Sequence, residues 1–217
     1  GATHPLISSS YDTSTGVLTL TGTADLSAYQ YMLSKVTYSN SSDTPNTTPR
    51  NIELSVTDIA LSGSEAVSTV IRTVNIQAIN DAPVVDMNST AINYTEGNGA
   101  VDIFNTQISS IVDIDSSMLS GATLGFNSGY RAGEDILSTS TLPTTIAASF
   151  DQATGVLTFT GNASIADYTT AITAVTYNNL SDSPAANQRT LELTLVDDHL
   201  LASSPVAVAL NITATAD

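Results

Sequence analysis

Residues 11–22, Tyr-Asp-Thr-Ser-Thr-Gly-Val-Leu-Thr-Leu-Thr-Gly, return at residues 150–161 as Phe-Asp-Gln-Ala-Thr-Gly-Val-Leu-Thr-Phe-Thr-Gly. In both stretches apolar and hydroxyl side chains alternate between two glycines, the period of a strand with one buried face. Each strand is preceded by Asp-x-x-Thr-Gly, in which the Asp side chain accepts from the backbone of a turn and Gly supplies the positive φ that the turn requires. Working outward, the likeness continues without a gap from Ser8 to Asp58 at an offset of 139 residues, with 22 identities over 51 aligned positions. It includes VTYSNSSDTPNTTPRNIELSVTD, which recurs as VTYNNLSDSPAANQRTLELTLVD. Beyond it, Asn75-Ile-Gln-Ala-Ile-Asn-Asp81 is matched by Asn211-Ile-Thr-Ala-Thr-Ala-Asp217, three residues closer. A period of about 137 residues follows, and a period is read before any local feature because it governs the whole fold. The expected domains are residues 1–80, the C-terminal part of one repeat, and 81–217, a complete repeat. A repeat entered halfway predicts a piece of a longer array.

The local pattern is β throughout. Arg189-Thr-Leu-Glu-Leu-Thr-Leu-Val-Asp197 puts Leu191, Leu193 and Leu195 on one face, and Val206–Thr213 reads as a long final strand. One short helical turn per copy is expected where Leu26, Tyr29 and Leu33, and again Ile165, Tyr168 and Ile172, fall at three- and four-residue spacing. The fold class expected is all-β: two antiparallel β-sandwiches in tandem, of immunoglobulin or cadherin type.

Composition narrows the function. The chain has 217 residues with 21 acidic and 5 basic side chains, a net charge of -16. Nucleic-acid binding needs clustered Lys and Arg, so it is excluded as an expectation, as is a polybasic membrane surface. No apolar run is long enough to span a bilayer. Charged residues make up only 12% and hydrophobic ones 41%, so the acidity belongs to a globular protein rather than a disordered one. It serves solubility, halotolerance or divalent-cation binding. With no Cys, disulfides, thiol nucleophiles and Cys-ligated zinc are out of reach. His4 and His199 are the only histidines, too few for a His-based metal centre.

Hard cations take several oxygen ligands, and carboxylates supply them most strongly. The acidic groups of interest are Asn80-Asp81, Glu96, Asp113 and Asp115, Glu134-Asp135 and Asp197-Asp198. Asp113 and Asp115, two apart at a strand end, are expected on one side, able to clamp one ion. Asp197 brings a third carboxylate to the end of its strand. The segment from Asp113 is not an EF-hand, because Met118 stands where that loop needs Gly. Glu134-Asp135 is expected to terminate a strand, and Asp198 to be surface charge.

The set Ile79-Asn-Asp-Ala-Pro-Val84, Tyr94-Thr-Glu-Gly97, Val112-Asp-Ile-Asp115, Ala132-Gly-Glu-Asp-Ile-Leu137 and Gly155-Val-Leu-Thr-Phe-Thr-Gly161 resembles the cadherin-like tandem repeats of giant bacterial surface adhesins. The resemblance covers the whole second copy and the matching part of the first. It implies an extracellular, cell-surface β-sandwich repeat whose junctions bind Ca2+. It assigns Asn80 and Asp81 to the junction linker, Asp113 and Asp115 to the D-x-D loop, and Asp197 to the late Asp. Ala78 and Ala82 stand where the cadherin linker has further ligands, and the L-D-R-E segment has no counterpart, so one or two ions are expected rather than three. Glu96 matches the early Glu that serves the opposite junction, with Asp217 as its partner. Asp58 is the twin of Asp197 and would face the missing half of its copy.

Other features read as structural. Asn40 and Asn179 are the only equivalent pair among seven N-x-S/T sequons, and each precedes a Ser-Asp-x-Pro turn in which an Asn is useful. Arg50 and Arg189, also equivalent, are expected in local ion pairs at strand starts. Tyr38 and Tyr177 are expected to pack in strands. No nucleophile elbow, phosphate loop or H-E-x-x-H motif is present, so no enzyme is expected. The expected function is a calcium-stiffened spacer in a large secreted adhesin or extracellular fibre, partnered by neighbouring repeats of the same chain. The alternative is a self-assembling filament subunit, completed by a neighbour's strand, or a module binding surface glycans.

Overall fold

The computed structural model describes residues 4–59, 65–88 and 90–216. In chain order its elements are β1 (Ser8–Asp12), β2 (Val17–Thr21), α1 (Leu26–Leu33), β3 (Arg50–Ile59), β4 (Glu65–Val74), β5 (Val84–Met87), β6 (Ile92–Thr95), β7 (Val101–Asp102), β8 (Ile108–Val112), β9 (Met118–Ser128), β10 (Asp135–Thr139), β11 (Ala147–Asp151), β12 (Val156–Ser164), α2 (Ile165–Thr173), β13 (Val175–Asn179), β14 (Arg189–Asp197) and β15 (Val206–Thr213). The chain is all-β, with two short helices and several sheets among the described residues. Its contacts fall into two compact units, Gly1–Ser42 and Asp43–Asp217.

In the first unit β1 and β2 form a hairpin closed by the Asp-x-x-Thr-Gly turn. Asp12 Oδ1 accepts from Ser14 N at 2.8 Å, and Gly16 adopts φ +70°. Those bonds, from the Ser14 hydroxyl foremost, hold the Asp12 carboxyl below its ordinary range. Asp25 caps α1 by accepting from Ala28 N at 2.8 Å, and Ile7, Ala28 and Met32 make a small core. The equivalent pieces of the second unit are a β11–β12 hairpin with the same turn at Asp151 and Gly155, and α2 capped by Ser164. Both helices are tied back in one way: Tyr29 donates to Gly22 O at 2.8 Å, and Tyr168 to Gly161 O at 2.6 Å. Gly161 is required there, because at φ +129° a Cβ would lie 2.1 Å from Thr145 O.

Residues 84–213 carry the main core. A six-stranded sheet runs β11-β12-β9-β14-β15-β6, and a three-stranded sheet runs β10-β13-β7. The expectation of purely antiparallel pairing is corrected at one edge, where β6 runs parallel to β15. Strand β14 is paired along both edges, with β9 and β15, and alternates buried and half-buried residues along its whole length. Leu191, Leu193 and Leu195 lie on its inner face, packed with Leu124, Phe159, Tyr168 and Tyr177.

The same period-two face carries Arg189, which is fully buried. Its Nε donates to Asp135 Oδ2 at 3.0 Å, and Asp135 also accepts from Tyr177 Oη at 2.6 Å, Asn179 Nδ2 at 2.7 Å and Arg131 N at 2.7 Å. Asp135 therefore begins β10 as a buried ion-pair partner, not as a strand terminator. The Arg189 pair is an interior one rather than a surface one. Burial, with Asp135 beside it, pushes the Tyr177 hydroxyl well above its ordinary pKa. The equivalents in the first copy differ. Tyr38 lies in no strand and is 42% exposed, whereas Tyr177 is buried in β13 between β10 and β7.

Replacing Asp135 by Ala strands the Arg189 guanidinium in the interior, a change that costs about 3–5 kcal/mol. Urea unfolding is expected to show that loss for Asp135→Ala, and a smaller one for the Asp135→Leu, Arg189→Leu double variant, which removes both charges.

Candidate metal centre

The acidic residues expected at the repeat junction converge within the second unit. Strand β8 ends at Val112, and Asp113–Ser117 turn sharply rather than continuing the strand, which corrects the expectation of two carboxylates on one strand face. The turn is built by Asp113, whose Oδ1 accepts from Asp115 N at 3.1 Å and Ser116 N at 3.0 Å. Those two bonds fold the D-x-D segment on itself. Asp115 Oδ2 then accepts from Asp81 N at 3.1 Å, which fastens the linker before β5 to the loop after β8. The antiparallel pairing of β5 with β8, Val84 opposite Val112, sets this proximity, since both segments leave the same end of one ladder.

The end of β14 closes the group. Asp197 is buried because it shares the inner face with Arg189 and the three leucines. Its Oδ1 accepts from His199 N at 2.9 Å and Leu201 N at 2.8 Å, and its Oδ2 accepts from Asn80 Nδ2 at 2.6 Å. Asp198 is bound as well: Ser116 Oγ donates to its Oδ1 at 2.7 Å, and this bond foremost lowers its pKa. Asn80, Asp81, Asp113, Asp115 and Asp197 are thus gathered at one pole. Asp198 is exposed, the surface charge expected of it, and the Ser116 bond places it at the edge of the same group. A groove of about 420 Å³ beside the cluster is lined by Asp43, Asp81, Ala82, Val84, Val112 and Ile114. Asp43 also lines this groove, and no spacing or motif pointed to it.

Among the described residues, no three Asp, Glu or His side chains stand close enough to enclose a metal as they are. Donors occupy the carboxylates instead: the Asn80 amide, the Asp81 and Asp115 backbone and the Ser116 hydroxyl. One atom is left over. Asp113 Oδ2 is buried without any hydrogen-bond partner. A buried carboxylate oxygen with no donor is costly, and burial, together with neighbouring Asp115, raises the Asp113 pKa. An orphaned carboxylate oxygen, two neighbouring carboxylates and an amide fit the oxygen chemistry of a hard cation.

Glu96 lies at another place in the unit. Its Oε2 accepts from Thr215 N at 2.8 Å, just past β15, so it sits against the chain's C-terminal segment, apart from the five residues above. Asp217, its expected partner, lies outside the described residues. Asn40 and Asn179 each accept from the backbone N–H two residues on, Ser42 and Ser181, at 2.9 Å, which is the turn role expected of them. Asn179 also donates to Asp135.

The chain matches no protein-family model and no curated protein sequence, and the cluster itself makes a prediction. The folded state binds a proton on Asp113 more tightly than the unfolded chain, so the ionised carboxylate penalises the metal-free fold at neutral pH. The penalty fades as pH falls through the raised pKa. Asp113→Asn keeps the Oδ1 acceptor for the turn and removes the charge. In chelator at pH 7 it is expected to raise the thermal midpoint, and the advantage over wild type should shrink as the pH is lowered into the carboxylate range.

Proposed function

We propose that this chain is a non-catalytic structural piece of a large secreted adhesin or extracellular fibre. In this reading residues 1–80 and 81–217 belong to successive β-sandwich repeats of cadherin-like type, and Ca2+ stiffens the junction between them. The observation that carries it is the pole built from Asn80, Asp81, Asp113, Asp115 and Asp197, in which Asp113 Oδ2 is buried and unpartnered. Surface charge selected for solubility alone would be spread over exposed positions. Here the linker is tied to the loop after β8 through Asp81 N–H and Asp115, and to the end of β14 through Asn80 and Asp197.

Asn80 and Asp81 would hold the ion from the linker side, and Asp113, Asp115 and Asp197 from the body of the repeat. Bound there, a divalent cation supplies positive charge that turns mutual repulsion among these groups into attraction. The protein's part is to fix the carboxylates. The Asp113 turn orients Asp115, β14 delivers Asp197, and the Asp81 N–H to Asp115 bond sets the linker's angle. A repeat with no Cys gains its rigidity this way rather than by disulfides. Glu96 and Asp217 would serve the next junction in the same manner. The chemistry is mechanical, and neighbouring repeats are the partners.

Thermal unfolding in calcium and in chelator tests this. Saturation at a hundredfold excess over Kd adds about 2.7 kcal/mol, which for a chain of this size is a rise of roughly 5–10 °C in midpoint. The Asp113→Ala, Asp115→Ala double variant is expected to lose the rise. An equal midpoint for wild type in calcium and chelator would contradict the reading.

A further inference from the structure

Between β6 and β7 the chain runs Glu96-Gly-Asn-Gly-Ala100, which holds the one Asn-Gly pair in the sequence. Gly97, Asn98, Gly99 and Ala100 are all exposed. Asn98 N donates to Thr95 O at 3.2 Å, which closes a turn on the end of β6. Gly99 adopts φ +83°, and nothing lies within 4 Å of where its Cβ would stand. The backbone at Gly99 is therefore open on the side that a side chain would occupy.

Other asparagines of the chain are held. Asn40, Asn46, Asn88 and Asn179 each accept, through Oδ1, from the backbone N–H two residues on. Asn80 and Asn127 donate their side-chain amides to Asp197 and Glu192. Each of these bonds must break before the side chain can turn toward the next peptide nitrogen. Among the described residues, neither the Asn98 side chain nor the Gly99 N–H makes a hydrogen bond. A peptide nitrogen that belongs to Gly is also the least hindered, because Gly carries no Cβ. An electrophilic amide carbon and its neighbouring nitrogen are thus both unengaged in one exposed turn.

We propose that Asn98 is a site of spontaneous deamidation through a cyclic imide. The Gly99 nitrogen attacks Asn98 Cγ and gives up its proton, and the new N–Cγ bond closes a ring. The Cγ–Nδ2 bond breaks and releases ammonia, which carries that proton away. Water then opens the ring at either carbonyl. Cleavage of the N–Cγ bond leaves aspartate, and cleavage of the original peptide bond leaves isoaspartate, whose main chain runs through Cγ. Either product sets a carboxylate two residues past Glu96, whose Oε2 accepts from Thr215 N at 2.8 Å. The modification thereby adds negative charge beside the Glu96 contact with the C-terminal segment. It needs only these two residues and water, so it is independent of the calcium reading.

The test incubates the whole chain in isotopically labelled water at mildly alkaline pH, beside a synthetic peptide of residues 93–104, and follows the segment by peptide mapping and mass spectrometry. Aspartate and isoaspartate are both expected at position 98, carrying label from water, ahead of every other asparagine. The rate in the folded chain should fall within about tenfold of that in the peptide, because a larger gap would mean more than about 1.4 kcal/mol of protection by the turn. Gly99→Ala should lose most of the conversion in chain and peptide alike, since its Cβ crowds the attacking nitrogen. Aspartate without isoaspartate would mean direct hydrolysis of the amide and overturns the proposal. A folded chain that keeps Asn98 intact while the peptide converts overturns it too, as does conversion indifferent to Gly99→Ala.

Discussion

The buried pair of Asp135 and Arg189 joins the two larger sheets of the second copy. Asp135 opens β10 in the three-stranded sheet, Arg189 opens β14 in the six-stranded one, and both are shielded from solvent. Such a pair holds only if every remaining donor and acceptor is used. Tyr177, Asn179 and the Arg131 backbone supply the extra donors to Asp135, and the carbonyls of Ala185 and Asn187 receive the rest of the guanidinium. The pair fixes where β14 begins, and the two-residue period of a strand does the rest. Leu191, Leu193 and Leu195 must point inward, and so must Asp197 at the far end. One strand therefore carries an internal cation at its start and a carboxylate for the acidic pole at its end, eight residues apart.

The two copies differ along this strand. Arg50, Ile52, Leu54 and Val56 repeat the inner face of β14, but among the described residues β3 pairs with β4 alone. The apolar side chains of β3 stay exposed, and Arg50 makes the same backbone-carbonyl bonds as Arg189. Tyr38, the twin of Tyr177, lies in no strand. Local features that need no distant partner survive in both copies. The Asp-x-x-Thr-Gly turn, the helix cap and the Tyr-to-Gly bond close within a dozen residues, and each appears twice.

That division also explains what the sequence could reveal. Strands such as Arg189–Asp197 and Val206–Thr213, and the two helices, were legible because their period is written in consecutive residues. Spacing and strand ends singled out Asn80, Asp81, Asp113, Asp115 and Asp197 as candidate ligands, and the resemblance assigned them to one junction. The depth of Asp135 was not legible, since its burial depends on a partner 54 residues away and on strands from both sheets. A signal did exist for Arg189 and Asp197: both share the odd-numbered face with the leucines, so a strict reading of the alternation would have placed them inside. The turn at Asp113 was hidden because D-x-D is equally compatible with a strand end, and only the two backbone bonds to Oδ1 decide it.

The most direct test of this account is native-state amide hydrogen exchange, resolved by residue and compared in calcium and in chelator. The account predicts slow exchange along β14 in both conditions, fast exchange along the open edge of β3, and a loop at Asp115 and Ser116 that slows when calcium is added. Equal protection of β3 and β14, or a loop at Asp115 and Ser116 that calcium leaves unchanged, would contradict it.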